Sequence, residues 1–287
     1  MSARIIDGRI VSSDIKTRVK KAVQDLRKSN IQPCLATILV GDDPASATYV
    51  ESKQKDAKEV GIVTKDHRFD VTFKQNELRE LVQSLNNDPA IHGILVQLPL
   101  PSHIDEFEII CTLNPFKDVD GLTPFNVGML QCGIAALKPC TPSGIMQLFD
   151  YYKIDISGMD AVIVNRSNLV GKPLVILLLE RDATVTVCHS KTKGLNEKLL
   201  KADLIITAVG DRQHFTLTSK MIKEGAIVID VGITRVNGRL AGDTDFDSVK
   251  QKASWVTPVP GGVGLMTRAM LLKNTITAAS IMREMSR

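Results

Sequence analysis

AVIVNRSNLVGKP, residues 161–173, follows the turn-rich ISGMD and runs into the apolar LVILLL. An apolar strand, a polar loop closed by glycine and a proline-opened apolar helix form the unit that holds a dinucleotide pyrophosphate at a helix N-terminus. The glycine fingerprint GxGxxG is not matched. Asn165 stands where the first glycine belongs, with Ser167 and Gly171 further along the loop. Asparagine tolerates the left-handed backbone region better than other non-glycine residues, so the turn survives the exchange. Read alone, the loop fits either a cofactor site or a structural βα corner.

The same alternation extends outward. CLATILV (34–40) reads as a buried strand, PASATYVESKQKDAKEVG (44–61) as a helix opened by proline and closed by glycine, and HGILVQL (92–98) as another strand. A strand near 62–69 and a helix near 76–86 lie between them. From 142 onward come SGIMQLFDYY, PLVILLLE and LNEKLLK as helices, interleaved with DAVIV, ATVTVC, ADLIITAV and AIVIDV as strands. Short apolar strands alternating with helices predict an α/β fold with a parallel sheet covered on both faces. LKPCTPSG (137–144), with two prolines and a glycine, reads as a hinge between two lobes, with a ligand cleft expected between them. The last helix, near 264–286, is expected to pack back on the first lobe.

At 287 residues and 44% hydrophobic, the chain is long enough for two cores. A net charge of +4 and 4% aromatics, without basic and aromatic residues interleaved, argue against nucleic acid as the main partner. Cys34, Cys111, Cys132, Cys140 and Cys188 show neither CxxC pairing nor metal-ligand spacing with the histidines, and read as reduced thiols. The opening MSARIIDGRIVSS lacks a signal-peptide core, and LVILLL is too short to span a bilayer, so a soluble cytoplasmic protein without membrane partners is expected.

Candidate site residues fall in both halves. ATVTVCHSK ends where an NAD-binding unit places Asp or Glu, but offers His189, Ser190 and Lys191. With Arg166 these suit a 2′-phosphate and favour NADP, unless they are only solvated loop residues. AVG (208–210) and DVGI (230–233), the latter bringing Ile233, end two strands with glycines on the expected cofactor edge, though glycine there is also a plain turn signal. In the first half Tyr49 and Lys53, four apart, share one helix face. A lysine in a desolvated cleft loses its proton near neutral pH and can act as acid or base, whereas most helix lysines are merely solvated. Gln97, near a strand end, faces either a crevice or a sheet edge. Asp118 and Asp120 in KDVDGLTP read as turn caps or as carboxylates for a ligand's N–H groups.

Taken in order, YVESK, GILVQLPLP, KDVDGL, PCTPSG, NRSNLVGKP, TVCHSKT, ADLIITAVG and TPVPGGVG resemble the methylenetetrahydrofolate dehydrogenase/methenyltetrahydrofolate cyclohydrolase family, across nearly the whole chain. The resemblance implies a folate-binding lobe over 1–137 completed by a final helix over 265–287, and a Rossmann-like NADP-binding lobe over 138–264. It implies a homodimer built through the cofactor lobes. By position it makes Lys53 the essential lysine, Tyr49 the pterin-site tyrosine, Gln97 the glutamine beside the lysine and Asp120 the aspartate that grips the pterin. Pro258, Gly261 and Gly262 border the folate pocket, while Asn165, Arg166, Ser167, Ser190 and Ile233 fall on the cofactor side. Neither implied reaction requires a metal. Two positions depart from the family pattern: Asn165 replaces the glycine of GRS, and Leu265 replaces a proline after GGVG. The first leaves open a cyclohydrolase with weak or absent dehydrogenase activity, if the Asn165 side chain crowds the pyrophosphate. A non-enzymatic folate- or nucleotide-binding scaffold is the third reading, which the retention of Tyr49, Lys53, Gln97 and Asp120 opposes.

Overall fold

The computed structural model describes residues 2–236 and 238–285. In chain order its elements are β1 (Arg4–Ile5), α1 (Gly8–Lys28), β2 (Cys34–Val40), α2 (Pro44–Val60), β3 (Val63–Phe69), α3 (Gln75–Asn87), β4 (Gly93–Val96), α4 (Glu106–Thr112), α5 (Pro124–Gln131), α6 (Cys140–Tyr152), β5 (Asp160–Val164), α7 (Gly171–Leu179), β6 (Thr184–Cys188), α8 (Leu195–Lys201), β7 (Leu204–Thr207), β8 (Ile227–Asp230), β9 (Thr234–Val236), β10 (Arg239–Ala241), α9 (Phe246–Lys250), β11 (Trp255–Val256) and α10 (Val263–Met285). They form two compact units. One comprises the chain up to Ser12 with Thr141–Thr267, the other Ser13–Cys140 with the chain from Arg268 onward.

The first unit is built on a sheet in the order β1-β11-β8-β7-β5-β6, every neighbouring pair parallel. β7 and β8 are buried throughout, apolar up to Thr207 and Asp230 at their ends, because the sheet is covered on both faces; β6, at the edge, exposes Thr184, Thr186 and Val187. The chain leaves β5 for β6 on one side and returns to β7 on the other. That reversal of strand order opens a crevice at the carboxyl ends of β5 and β7, where sheets of this kind bind ligands.

The expected boundaries differ at the start of the chain. The segment assigned with 1–137 to the folate lobe begins inside the other unit, because Arg4 and Ile5 pair with Trp255 and Val256 and extend its sheet. Helix α1, for which the sequence pattern gives no expectation, follows directly. The expected end of the last helix at 286 lies outside the described residues.

The second unit carries a three-stranded parallel sheet, β3-β2-β4, with β2 buried along its whole length at the centre. Ala36, Ile38 and Val40 of β2 and Ile94 and Val96 of β4 pack with Leu78, Val82 and Leu85 of α3 and Ile109 of α4. Helix α2 starts where the Asp43 carboxylate accepts the Ser46 N–H at 2.7 Å, with proline in the first turn, and ends at Gly61, whose φ of 88° favours glycine. A second device fixes α2. Asp56, 5% exposed, accepts Lys16 Nζ of α1 at 2.7 Å on one oxygen and faces Arg268 Nε of α10 at 3.1 Å with the other.

Asp56→Asn is expected to destabilise this unit by about 3 kcal/mol, the low end for breaking a buried ion pair, since Lys16 and Arg268 keep about a fifth of their side-chain surface in water. Urea denaturation followed by circular dichroism measures this; an unchanged midpoint would show that the triad contributes nothing.

Candidate active site

Four of the expected folate-side residues come together in the second unit. α2 presents Tyr49 and Lys53 on one face, as their spacing requires. Lys53 is 4% exposed; its Nζ donates to Gln97 Oε1 at 3.1 Å and lies 4.6 Å from the centre of the Tyr49 ring. Gln97 follows the last residue of β4, its N–H donating to Ile38 O at 2.9 Å and its Nε2 to Leu98 O at 2.7 Å. Its amide is therefore oriented by the Leu98 carbonyl, which leaves Oε1 for the lysine. Burial drives the Lys53 ammonium below its ordinary value, partly offset by the Asp120 carboxylate. The result is an amine of lowered basicity beside a half-buried carboxylate and an aromatic face.

The two aspartates of KDVDGL have different work. Asp118 is 1% exposed and braces the turn, accepting the N–H groups of Gly121 at 3.0 Å and Thr123 at 2.7 Å and the Asn126 amide at 2.9 Å. Asp120 is half-buried, and its carboxylate lies close enough to Cys140 to disfavour the thiolate. Glycine is required between the turn and the 137–139 segment: Gly121 has φ 69°, and a Cβ there would lie 2.8 Å from the Lys138 carbonyl carbon.

Cys140 and Asn274 also belong to this neighbourhood, although the sequence reading gave neither a site role. The Cys140 thiol, 2% exposed, donates to Val119 O at 3.3 Å, and burial pushes its pKa well up, so it remains a thiol. Asn274 of α10 donates to Val119 O at 2.8 Å and Lys138 O at 2.9 Å, tying the last helix to the Asp120 turn. Cys140 lay in plain view inside LKPCTPSG, but that stretch read as a hinge. Asn274 had no local signal.

The remaining candidates lie in the first unit. Val164 is in register with both Cys188 and Thr207, and Thr207 with Asp230, so the segments carrying Asn165 to Ser167, Ser190, Ala208 to Gly210 and Ile233 all leave one sheet edge. Arg166, Ser190 and Ile233 are exposed and Ser167 is half-buried. Among the Pro258, Gly261 and Gly262 turn, the Gly261 carbonyl accepts the Gly8 N–H at 2.9 Å, and Gly262 has no room for a Cβ, which would lie 2.5 Å from Pro258 O. Leu265, in the first turn of α10, donates its N–H to Gly262 O at 3.3 Å, a bond that the family's proline cannot make.

Asn165 turns inward. Its Nδ2 donates to Ala208 O at 2.6 Å, while its Oδ1 accepts the N–H groups of Ser167 at 2.7 Å and Gly171 at 3.0 Å. Ser167 Oγ accepts the Val170 N–H at 3.1 Å. The loop is thus held by its own side chains, and the first N–H of α7, expected to face a phosphate, already has a partner. What this edge offers an anion is the exposed Arg166 guanidinium and the Ser190 hydroxyl, with His189 and Lys191 beside it and no acidic residue at the end of β6. That donor set fits a 2′-phosphorylated dinucleotide.

No cluster of His, Cys, Asp or Glu able to hold a metal, and no helix long and apolar enough to cross a membrane, occurs among the described residues.

Residues 6–120 match the family model for the tetrahydrofolate dehydrogenase/cyclohydrolase catalytic domain, and residues 139–283 match its NAD(P)-binding domain. The chain is 60% identical over 281 residues to the bifunctional protein FolD of Nitrosopumilus maritimus, covering 98% of both chains. Among solved structures, the bifunctional FolD methylenetetrahydrofolate dehydrogenase/cyclohydrolase of Campylobacter jejuni superposes with a TM-score of 0.94 at 48% identity, covering 98% of this chain and 99% of that one. The Trypanosoma brucei N5,N10-methylenetetrahydrofolate dehydrogenase-cyclohydrolase, solved with NADP and an inhibitor, has a TM-score of 0.94 at 38% identity and full coverage of both chains. With two domain models matched in order and identity this high along its length, the chain belongs to the tetrahydrofolate dehydrogenase/cyclohydrolase family.

Proposed function

We propose that this protein oxidises 5,10-methylenetetrahydrofolate to 5,10-methenyltetrahydrofolate with NADP and hydrolyses the product to 10-formyltetrahydrofolate. The observation that carries the reading is the desolvated Lys53, with Gln97 on its Nζ, the Tyr49 ring beside it and the Asp120 carboxylate nearby. A scaffold that only binds folate gains nothing from burying an amine and lowering its basicity.

In this reading Asp120 accepts the paired N–H groups of the pterin and fixes its orientation. NADP, when bound, supplies the hydride acceptor for the one-carbon bridge. The protein's part in that step is positioning, since the methenyl cation is stabilised by its own two flanking nitrogens. Hydrolysis makes the larger demand, because water must lose a proton as it attacks and a ring nitrogen must gain one as the ring opens. A neutral Lys53 amine takes the proton from water and returns it to the ring nitrogen, while the hydroxyl of the tetrahedral adduct releases its own proton to solvent as the carbonyl forms; Gln97 and Tyr49 hold the amine in place for both transfers.

Arg166 and Ser190 would hold the 2′-phosphate. Because the loop N–H groups of Ser167 and Gly171 are spent on Asn165, the cofactor's affinity depends more on these two side chains than it would in a glycine-rich loop. The inward course of the Asn165 amide also supports retained dehydrogenase activity over the cyclohydrolase-only alternative. A homodimer formed through this unit is supported by the exposed edge strand β6, with Val187 at 38% and Leu179 of α7 at 54% exposure. The free cysteines support a reducing, cytoplasmic setting.

Assaying both reactions on one preparation tests the proposal. Both are expected in the wild type, while Lys53→Met is expected to lower hydrolysis by at least about 100-fold, in the range of lost general acid-base catalysis, with NADP binding intact. Retained hydrolysis in that variant would remove Lys53 from its role.

The hydrolysis rate is expected to rise with pH through a limb below the ordinary lysine range, since burial lowers the Lys53 pKa and the neutral amine is the active form. Gln97→Glu sets a carboxylate against Nζ, favours the ammonium and moves that limb to higher pH. A limb that stays put would show that another group titrates.

Arg166→Ala and Ser190→Ala are each expected to raise the KM for NADP about tenfold, as for a lost hydrogen bond to a charged group, leaving the folate KM near wild type. Equal rises in both constants would contradict the phosphate assignment.

A further inference from the structure

Two buried carboxylates in the first unit have no part in the chemistry above. Asp230, the last residue of β8, is 3% exposed; Asp243, after the β9–β10 hairpin, is fully buried. Asp243 Oδ2 accepts the Val209 N–H at 2.6 Å and Oδ1 the Gly210 N–H at 2.9 Å. Asp230 Oδ1 accepts the N–H groups of Gly232 at 3.1 Å and of Asp243 itself at 3.0 Å, and Oδ2 accepts Thr244 N–H at 2.8 Å. Asp243 is therefore seated on Asp230, and the pair binds three backbone segments: 208–210 after β7, 231–233 after β8, and the return strand at 242–244.

The glycines around the pair are there to make room. A Cβ on Gly232 would overlap the Asp243 carboxylate, and one on Gly242 would overlap that of Asp230. The glycine of DVGI, which the sequence leaves as either a cofactor contact or a turn signal, is required by a carboxylate from elsewhere in the chain. Above the pair, the side chains of Val209 (38% exposed) and Ile233 (49% exposed) face outward on the edge that carries Asn165 and Ser190. Burying two carboxylates this close is expensive unless each is saturated with donors. All of the N–H donors named here come from the backbone of these loops, so what the pair achieves is loop geometry.

We propose that Asp243, seated on Asp230, is a positioning residue for the dinucleotide: Asp243 fixes the 208–210 backbone and Asp230 the 231–233 backbone at the sheet edge that carries Asn165 and Ser190. The inference rests on the NADP reading above. It differs from a contact role, since a fully buried Asp243 cannot reach the cofactor, and it acts through the Val209 and Gly210 backbone.

Asp243→Asn tests it. One carboxylate oxygen becomes an N–H₂ group facing the N–H of Val209 or Gly210, so one clamp bond is lost and a donor meets a donor. The KM for NADP is expected to rise about tenfold or more, as for a lost hydrogen bond to a charged group, while hydrolysis of methenyltetrahydrofolate and the folate KM stay within about twofold. An unchanged NADP KM overturns the proposal, as does an equal loss of both activities, which would mark a merely structural residue. A second measurement needs no variant: amide exchange of Val209 and Gly210 in the wild type is expected to be slow without cofactor and to slow no further with NADP. Free exchange that becomes slow only on adding NADP overturns the proposal too. A wild type that hydrolyses but transfers no hydride to NADP defeats the functional reading instead, and the exchange experiment still judges the clamp.

Discussion

The structure of the folate-side unit depends on keeping one amine out of water. Lys53 has a hydrogen-bond acceptor in Gln97 Oε1 and an aromatic face in Tyr49, but neither is an anion in contact, so burial wins and its basicity falls. An amine placed this way is useful only if its helix cannot move, and α2 is fixed at three points. Asp43 caps its start, Gly61 ends it in the left-handed region, and Asp56, one turn beyond Lys53, joins it to α1 and α10 through Lys16 and Arg268. The carboxylate that acts on Lys53 is that of Asp120, whereas Asp56 is taken up by Lys16 and Arg268, so one helix holds both a buried ion network and a lysine of lowered basicity.

The cofactor-side unit meets the opposite requirement, to hold anions, with backbone that is largely spoken for. Where a glycine-rich loop leaves its N–H groups free, the Asn165 amide consumes two of them and bridges to the β7 end at Ala208. Asn165 does not take up the left-handed backbone that the exchange for glycine suggests; its side chain supplies bonds that hold the turn. Asp230 and Asp243 do the same for the neighbouring loops. With those N–H groups taken, the donors this edge leaves exposed are side chains, Arg166 and Ser190 among them, and the proposed cofactor recognition falls to them.

Elements with strong period or continuous burial were legible in the sequence. β2, β5, β7, β8, α2 and α7 fall within a few residues of their expected places because apolar runs and Pro/Gly punctuation are local signals. Tyr49 and Lys53 were legible as one helix face, whereas Gln97 and Asp120 became a site only through the resemblance, since nothing local brings a strand end and a turn to that helix. β1 and β11, two residues each, are too short to carry a pattern, and so the attachment of the N-terminus to the second-half sheet was not read. Asp118 and Asp120 look alike in sequence and part only in three dimensions, where one is saturated by its turn and the other faces Lys53 and Cys140. The Asp230–Asp243 pair spans thirteen residues and a hairpin, beyond any local motif.

The claim on which the rest stands is that Lys53 is a neutral amine at the pH where the protein works. Labelling lysine side chains with ¹³C at Cε and following each resonance with pH reads this directly, and the signal lost in Lys53→Met identifies the residue. The account predicts that the Lys53 resonance titrates well below those of the surface lysines. If it titrates with them, the amine is an ordinary ammonium, and the proton transfer assigned to it belongs to another group.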